Sequence, residues 1–293
     1  MPDHSGGRSL AAPSCLFSSV LCAVELDNRS AAALYNAVAL AAPNGRLDVL
    51  TVVHAPAPHG SDQATIRAAH EKALQDFVWQ HVPSGLPYVP SVNLEMAYGD
   101  PAQAILLAAG RHQADLVVMG TRGHGRLLET VIGSVTHHVL RNAHTAVMVI
   151  PPFQTELVSL EATHPIFHLG RILVPIDPLR ENMEQLRVAI NLRRTSHEPL
   201  LLACVNRRGE PEVQASELRG LVEQYHLPAD TEVLPVSAAT VADGISEAAR
   251  GAEAGLIVMG LERQQKRMTP GSIAYEVIRH TESVVVATPP AGS

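Results

Sequence analysis

Between Met119 and Leu140 the chain reads MGTRGHGRLLETVIGSVTHHVL, and the frame Gly120-x2-Gly123-x9-Gly133-Ser134 inside it has the makings of a phosphate-binding turn. Glycine has no Cβ, so it takes positive φ without strain and lets an anion approach the main chain closely. Ser134 can cap the helix that follows or offer its hydroxyl to a phosphate oxygen. Arg122, inside the turn, is a cation beside the expected anion. The other residues that could do chemistry are less well arranged. His137 and His138 are adjacent on a helical stretch and cannot both face one metal, and His54 and His59 lie in a loop without a carboxylate at ligand spacing. Asp100 and Asp115 read as a helix cap and a strand-entry residue. The chain has no Gly-x4-Gly-Lys-Ser/Thr loop, no Gly-x-Ser-x-Gly elbow and no His-Glu-x2-His pair, so binding is expected rather than catalysis.

Elements in the right order must carry such a turn. Ala114 to Met119 is an apolar run that reads as a buried parallel strand, and the frame leaves its carboxyl end, where ligands collect in open α/β sheets. Upstream, Leu16–Val24 reads as a strand, Ser30–Ala42 as an alanine-rich helix, Leu47–Val53 as a strand, and Gln63–His81 as a helix with Ile66, Leu74 and Phe77 recurring. Val92–Ala97 alternates as a third strand. Gly99-Asp100-Pro101 then turns the chain, with Asp100 as N-cap and Pro101 at the first helical position. Thr145–Ile150 supplies a fifth strand before Pro151-Pro152.

The pattern then begins again. Arg171-Ile-Leu-Val-Pro-Ile-Asp177 matches Ser19-Val-Leu-Cys-Ala-Val-Glu25, and VVMG ending at Gly120 has its counterpart in IVMG ending at Gly260. Strand-like runs at Leu200–Val205, Thr231–Val236, Gly255–Met259 and Ser283–Ala287 alternate with helical ones. Two copies of one β-α unit series imply parallel sheets with right-handed crossovers.

Composition agrees with two cores. The chain has 293 residues, 46% of them hydrophobic, enough for two ordinary domains. A formal net charge of −7 argues against a broad nucleic-acid surface. No apolar run is long enough for a membrane span, and Cys15, Cys22 and Cys204 lack metal-ligand spacing. A soluble, reduced, cytoplasmic protein with neither nucleic-acid nor membrane partner is expected, its first fourteen residues a loose leader.

On these residues the chain resembles a tandem universal stress protein, two copies of that domain in one polypeptide. The resemblance rests on Gly120, Gly123, Gly133 and Ser134, the Gly99-Asp100-Pro101 turn, and the first strand ending in an acidic residue. It implies two Rossmann-like or flavodoxin-like α/β domains, each a five-stranded parallel sheet flanked by helices. The first would span residues 15–152 and the second 170–290, with 153–169 as linker. It also implies ATP, with Mg, held over the carboxyl ends of the first sheet. Gly120, Arg122, Gly123, Gly133, Ser134 and Val135 would surround phosphates and ribose. Glu25 stands where the family usually has an aspartate near adenine and ribose, and Val52 where a main-chain contact to adenine is expected.

The second copy departs from the frame. Leu261-Glu262-Arg263 follows Gly260, so the second glycine is missing, and Gly271 comes two residues early. Glu262 opposes a triphosphate, whereas Arg263, Lys266 and Arg267 offset it. One competent site is expected, in the first domain. The protein then reads as an ATP-binding stress-response or signalling module, with at most slow hydrolysis or self-phosphorylation. The alternatives are a nucleotide-independent interaction scaffold of the same fold, or an adenylating ligase, for which no further motif is visible. The family resemblance also implies that the two last strands pair within the chain as an intramolecular pseudo-dimer, leaving a further homodimer open.

Overall fold

A computed structural model describes residues 17–41, 45–60, 62–82, 90–121, 132–151, 157–160, 165–178, 184–207, 212–261 and 272–289. The first half runs β1 (Ser19–Val24), α1 (Asn28–Ala41), β2 (Arg46–Val53), α2 (Gln63–His81), β3 (Ser91–Tyr98), α3 (Pro101–Arg111), β4 (Leu116–Gly120), α4 (Ser134–Asn142) and β5 (Ala146–Ile150). Two short strands follow, β6 (Val158–Leu160) and β7 (Pro165–Phe167). The second half repeats the series with β8 (Ile172–Pro175), α5 (Glu184–Ser196), β9 (Leu200–Arg207), α6 (Ala215–Gln224), β10 (Glu232–Ala238), α7 (Val241–Gly251), β11 (Leu256–Gly260), α8 (Ile273–His280) and β12 (Val284–Thr288).

Apart from β6 and β7, the strands form one sheet in the order β10-β9-β8-β11-β12-β5-β4-β1-β2-β3. Within each half the pairings are parallel, so each half is a Rossmann-like unit with its first strand in the middle. The halves meet where β12 runs antiparallel to β5, pairing Val285 with Val149, Val286 with Met148 and Ala287 with Val147. Met148 and Val286 are equivalent residues, each the third of its strand, so a pseudo-twofold axis passes between them. Both strands are buried along their whole length, and pairing removes two edges that would otherwise be open templates. On the same axis His137 of α4 meets its own counterpart, Tyr275 of α8, edge to face at 5.8 Å between ring centroids.

Local chemistry explains the elements that carry the site. Gly99 has φ +112°, a conformation that L side chains rarely adopt, and it turns the chain out of β3. Asp100 then caps α3, its Oδ1 accepting from the Gln103 amide at 2.8 Å, and Pro101 opens the helix. In α1 the small residues Ala33, Ala37 and Ala41, with Leu34 and Val38, are buried and let the helix sit close on the sheet. Asp115 braces the strand entries, Oδ2 accepting from the amides of Ser18 at 2.9 Å and Ser19 at 3.1 Å. The opposite end of the sheet from the glycine frame holds a polar cluster in the first half. Asp48, 1% exposed, accepts from Arg46 Nε at 2.8 Å and Asn93 Nδ2 at 3.0 Å, and His112 links it to Glu95. Leu201 occupies the equivalent register in the second half.

Two expectations need correction. The stretch 153–169 is more than a linker, because β6 and β7 pair as an antiparallel ribbon, and Leu157 and Val158 are buried in the core that also holds α1. Three-residue strands carry too little periodicity to register in sequence. In α2, Leu74, Phe77 and Val78 are buried but Ile66 is 40% exposed, since one apolar residue in a polar first turn makes no stripe.

Cys22 and Cys204 are core residues, as their apolar surroundings suggest, whereas Cys15 lies outside the described residues. Burial pushes the Cys22 thiol well up. Cys204 is pushed from 9.0 to about 11, first by burial and then by the carboxylates of Asp177 and Glu217. The unfolded chain loses such a proton near its ordinary value, while the folded chain keeps it longer. This contribution to stability is therefore full below pH 9.0 and fades as pH rises toward about 11. Both thiols should resist a maleimide at pH 8 in the folded protein and react at once in guanidinium, measured by mass spectrometry.

Candidate functional site

The chain steps outward from β1 to β2 to β3, then crosses back through α3 to β4 on the other side of β1. Ligands bind α/β sheets at such a reversal, outside the carboxyl ends of the strands. The residues singled out in sequence converge there. Register sets Cys22 beside Val118 and Val24 beside Thr51, so Gly120 ends level with Val24, and Glu25 and Val52 follow at the same height. Strands lie about 4.8 Å apart, so Gly120 and Val52 stand roughly 10 Å from each other across β1. Glu25 is exposed at the mouth, and Val52 is half-buried on β2.

The turn after β1 is held firmly. Leu26 takes a left-handed φ of 57°, and Asp27 Oδ1 accepts from both the amide and the hydroxyl of Ser30 at 2.9 Å. The Glu25 amide donates to Ser30 Oγ at 2.9 Å, which pins the acidic residue's main chain at the reversal. A non-glycine residue at positive φ costs of order 1 kcal/mol and persists only where its surroundings impose it.

Around β4 the frame is closed by main-chain bonds. The Thr121 amide donates to the Ile150 carbonyl at 3.1 Å, and the Gly133 amide donates to the Thr121 carbonyl at 2.8 Å. Thr136 Oγ1, buried in the first turn of α4, donates to the Gly120 carbonyl at 2.9 Å. These bonds bring Gly120, Gly133, Ser134 and Val135 together although twelve residues separate the first two glycines of that set. Arg122 and Gly123 lie outside the described residues.

The frame works differently from what residue type alone suggests. Gly133 is the N-cap of α4 with φ −60° and ψ 148°, a conformation open to any residue, and Ser134 is the first helical residue rather than the cap. Nothing in the backbone conformation at 133 therefore calls for glycine. Ser134 is exposed in the first turn of α4, whose leading amides have no partner within the helix. The helix end carries about half a positive charge, and its first turn holds no acidic residue to oppose an anion. Thr121 and Thr136 are the positions that spacing passes over: Gly-x2-Gly treats Thr121 as filler, and only its bonds reveal it as the centre of the frame.

The second half repeats the scaffold among the described residues. The Leu261 amide donates to the Thr288 carbonyl at 2.8 Å as Thr121 does to Ile150. Ser272 stands at the N-cap of α8 without a side-chain capping bond, and the helix has Glu276 in its first turn, paired with Arg279 at 3.0 Å. Residues Glu262, Arg263, Lys266, Arg267 and Gly271 lie outside the described residues. Among the described residues no three His, Cys, Asp or Glu side chains gather to hold a metal ion, and no helix is long and apolar enough to cross a membrane.

Comparison with known proteins agrees with this architecture. Residues 17–151 match the model of the universal stress protein family. A universal stress protein of Methanocaldococcus jannaschii is 42% identical over 59 residues, covering 20% of this chain and 35% of that relative's length. The crystal structure of a universal stress protein from Archaeoglobus fulgidus superposes with a TM-score of 0.65 at 19% identity, covering 95% of this chain and 98% of that one. A universal stress protein of Thermus aquaticus is 31% identical over 138 residues, 46% of this chain and 99% of the relative. Spanning nearly the whole of that relative, with the fold repeated in both halves, the chain belongs to the universal stress protein family.

Proposed function

We propose that the protein is an ATP-binding stress-response or signalling module of the cytoplasm, built from universal stress protein domains at residues 15–152 and 170–290. Gly120, Arg122, Gly123, Gly133, Ser134 and Val135 surround the phosphates and ribose, and Glu25 and Val52 lie toward the adenine and ribose. The observation that carries the reading is the convergence of the β4 end, the β5 end and the α4 N-cap on Thr121. It leaves Gly133 without a side chain and Ser134 exposed at a helix end beside the reversal. Free amides, a hydroxyl and a positive dipole suit the oxygens of a polyphosphate. They do not suit a bare cation, so Mg²⁺ would arrive on the triphosphate.

Bound nucleotide would order the turn and change the surface that a partner meets. By sequence the frame supplies amides and the Ser134 hydroxyl but no evident pair of metal-binding carboxylates, so the role is binding, with hydrolysis or self-phosphorylation at most slow. The second domain, with Leu261 at the Thr121 position and Glu276 in the first turn of α8, is the unloaded copy.

Melting the full chain in a Mg-ATP titration tests this. At a hundredfold excess over the dissociation constant, binding to the folded state adds about 2.7 kcal/mol, which raises the melting temperature by a few degrees. AMP and ADP in parallel rank the phosphates. An unchanged melting temperature at millimolar Mg-ATP would overturn the reading and favour a nucleotide-independent scaffold of the same fold.

A further inference from the structure

Helix α2 packs on the sheet through a face that changes character along its length. Leu74, Phe77 and Val78 are buried, and the same face continues one and two turns earlier with His70 and Arg67, both half-buried. The helix runs back along β3, so these two polar residues lie where that strand ends, at Tyr98. The Arg67 guanidinium sits over the Tyr98 ring, 5.4 Å from its centroid, and His70 Nδ1 and the Tyr98 hydroxyl share a hydrogen bond at 3.1 Å. Tyr98 pairs in register with Val53, so this platform flanks the reversal one strand beyond Val52.

What the platform lacks is an anion. Among the described residues Arg67, Arg194, Arg219 and Arg250 take part in no hydrogen bond or ion pair, and of these Arg67 alone is half-buried. Glu71, one turn further along α2 and the usual helical partner for such a charge, is exposed and not bonded to it. Only Nε of the guanidinium is enclosed, so its two terminal nitrogens stay open at the surface with their protons unused. The second half ends β10 in Ala238 where the first ends β3 in Tyr98, so the fold itself does not require the platform.

We propose that Arg67, braced by Tyr98 and His70, is an oxyanion site for the phosphate group of a small ligand, separate from the glycine frame. A guanidinium stacked on an aromatic ring keeps its outer edge free as a forked donor, which matches two oxygens of a phosphate. Stacking restrains that edge before any ligand arrives, so little side-chain freedom is lost on binding. A nucleotide with phosphates over α4 and adenine toward Val52 would bring no phosphate here, because β1 and β2 lie between Tyr98 and Gly120. The site takes its own ligand and does not depend on the nucleotide reading.

Isothermal titration of the full chain with inorganic phosphate and with glycerol 3-phosphate, at constant ionic strength in chloride, tests this. Both probes are expected to bind with dissociation constants of about 1 mM, and the tighter of them tells whether free phosphate or an ester is the preferred source. Arg67→Gln should weaken both about tenfold to a hundredfold. Arg67→Lys should fall between that variant and the native chain, since a point charge replaces the fork. Saturating Mg-ATP should displace neither probe. No binding by the native chain at tens of millimolar phosphate would overturn the proposal. Native affinity in the glutamine variant, or displacement by Mg-ATP, would overturn it too, by placing the phosphate elsewhere. So would a glutamine variant that melts more than a few degrees lower or fails to fold, which would show the guanidinium to be a structural group.

Discussion

Gly133→Asp is expected to weaken ATP binding about thirtyfold while leaving the unliganded protein as stable as before, or slightly more so. The backbone at 133 has φ −60° and ψ 148° and serves as the N-cap of α4, where aspartate is among the preferred residues. Against glycine the gain is a few tenths of a kcal/mol. The same carboxylate would sit over the exposed Ser134 and the free amides, where the phosphates are expected. Two unit charges 4 Å apart repel by about 4 kcal/mol at an effective dielectric of 20, and screening of half of that still leaves about thirtyfold in affinity. Dialysis and melting measured on one preparation separate the two effects, since they have opposite signs. Gly133→Asn caps equally well without charge and should keep most of the affinity. If asparagine and aspartate weaken binding alike, bulk and not charge is responsible; if the aspartate variant binds like the native chain, the phosphates lie elsewhere.

Met148→Asp is expected to unfold the joint between the halves. Met148 is 1% exposed and Val286, directly opposite, is fully buried; their strands supply the middle of the sheet. No cation is recorded among the described residues facing this point, so the carboxylate would be buried unpaired or protonated. Either outcome costs several kcal/mol, a large share of the stability of an ordinary domain. Denaturant unfolding should show the loss, together with association of the exposed edges in light scattering. Met148→Leu, similar in volume and equally apolar, should cost less than about 1.5 kcal/mol. A tolerated aspartate would mean that β5 and β12 do not form a closed seam in solution.

Both substitutions turn on how much of the molecule can be read without coordinates. The strands around the frame were legible because Leu116–Gly120 and its counterpart Leu256–Gly260 are short, continuous apolar runs ending in glycine, bounded by turns. The cap at Asp100 was legible because capping depends on residues three apart in sequence. The ribbon of β6 and β7 was not, since its strands are three residues long and are held by Leu157 and Val158 entering a core built by other elements. Ile66 failed for the converse reason: its type is apolar, but its turn of α2 meets no core.

The site divides in the same way. Residue types and spacing were enough to mark Gly120, Gly133 and Ser134 as one frame, and the internal repeat was enough to mark the second copy as drifted, because both are properties of order along the chain. Only the tertiary structure shows that the backbone at Gly133 is ordinary, so its conformation does not call for glycine. Only the tertiary structure, too, picked out Thr121, whose bonds reach Ile150 and Gly133 across elements that no local pattern connects. Local sequence sets which helix and strand each residue joins, through propensity and capping. Which groups are left unpaired when those elements close on one another depends on contacts between distant segments, and those exist only after folding.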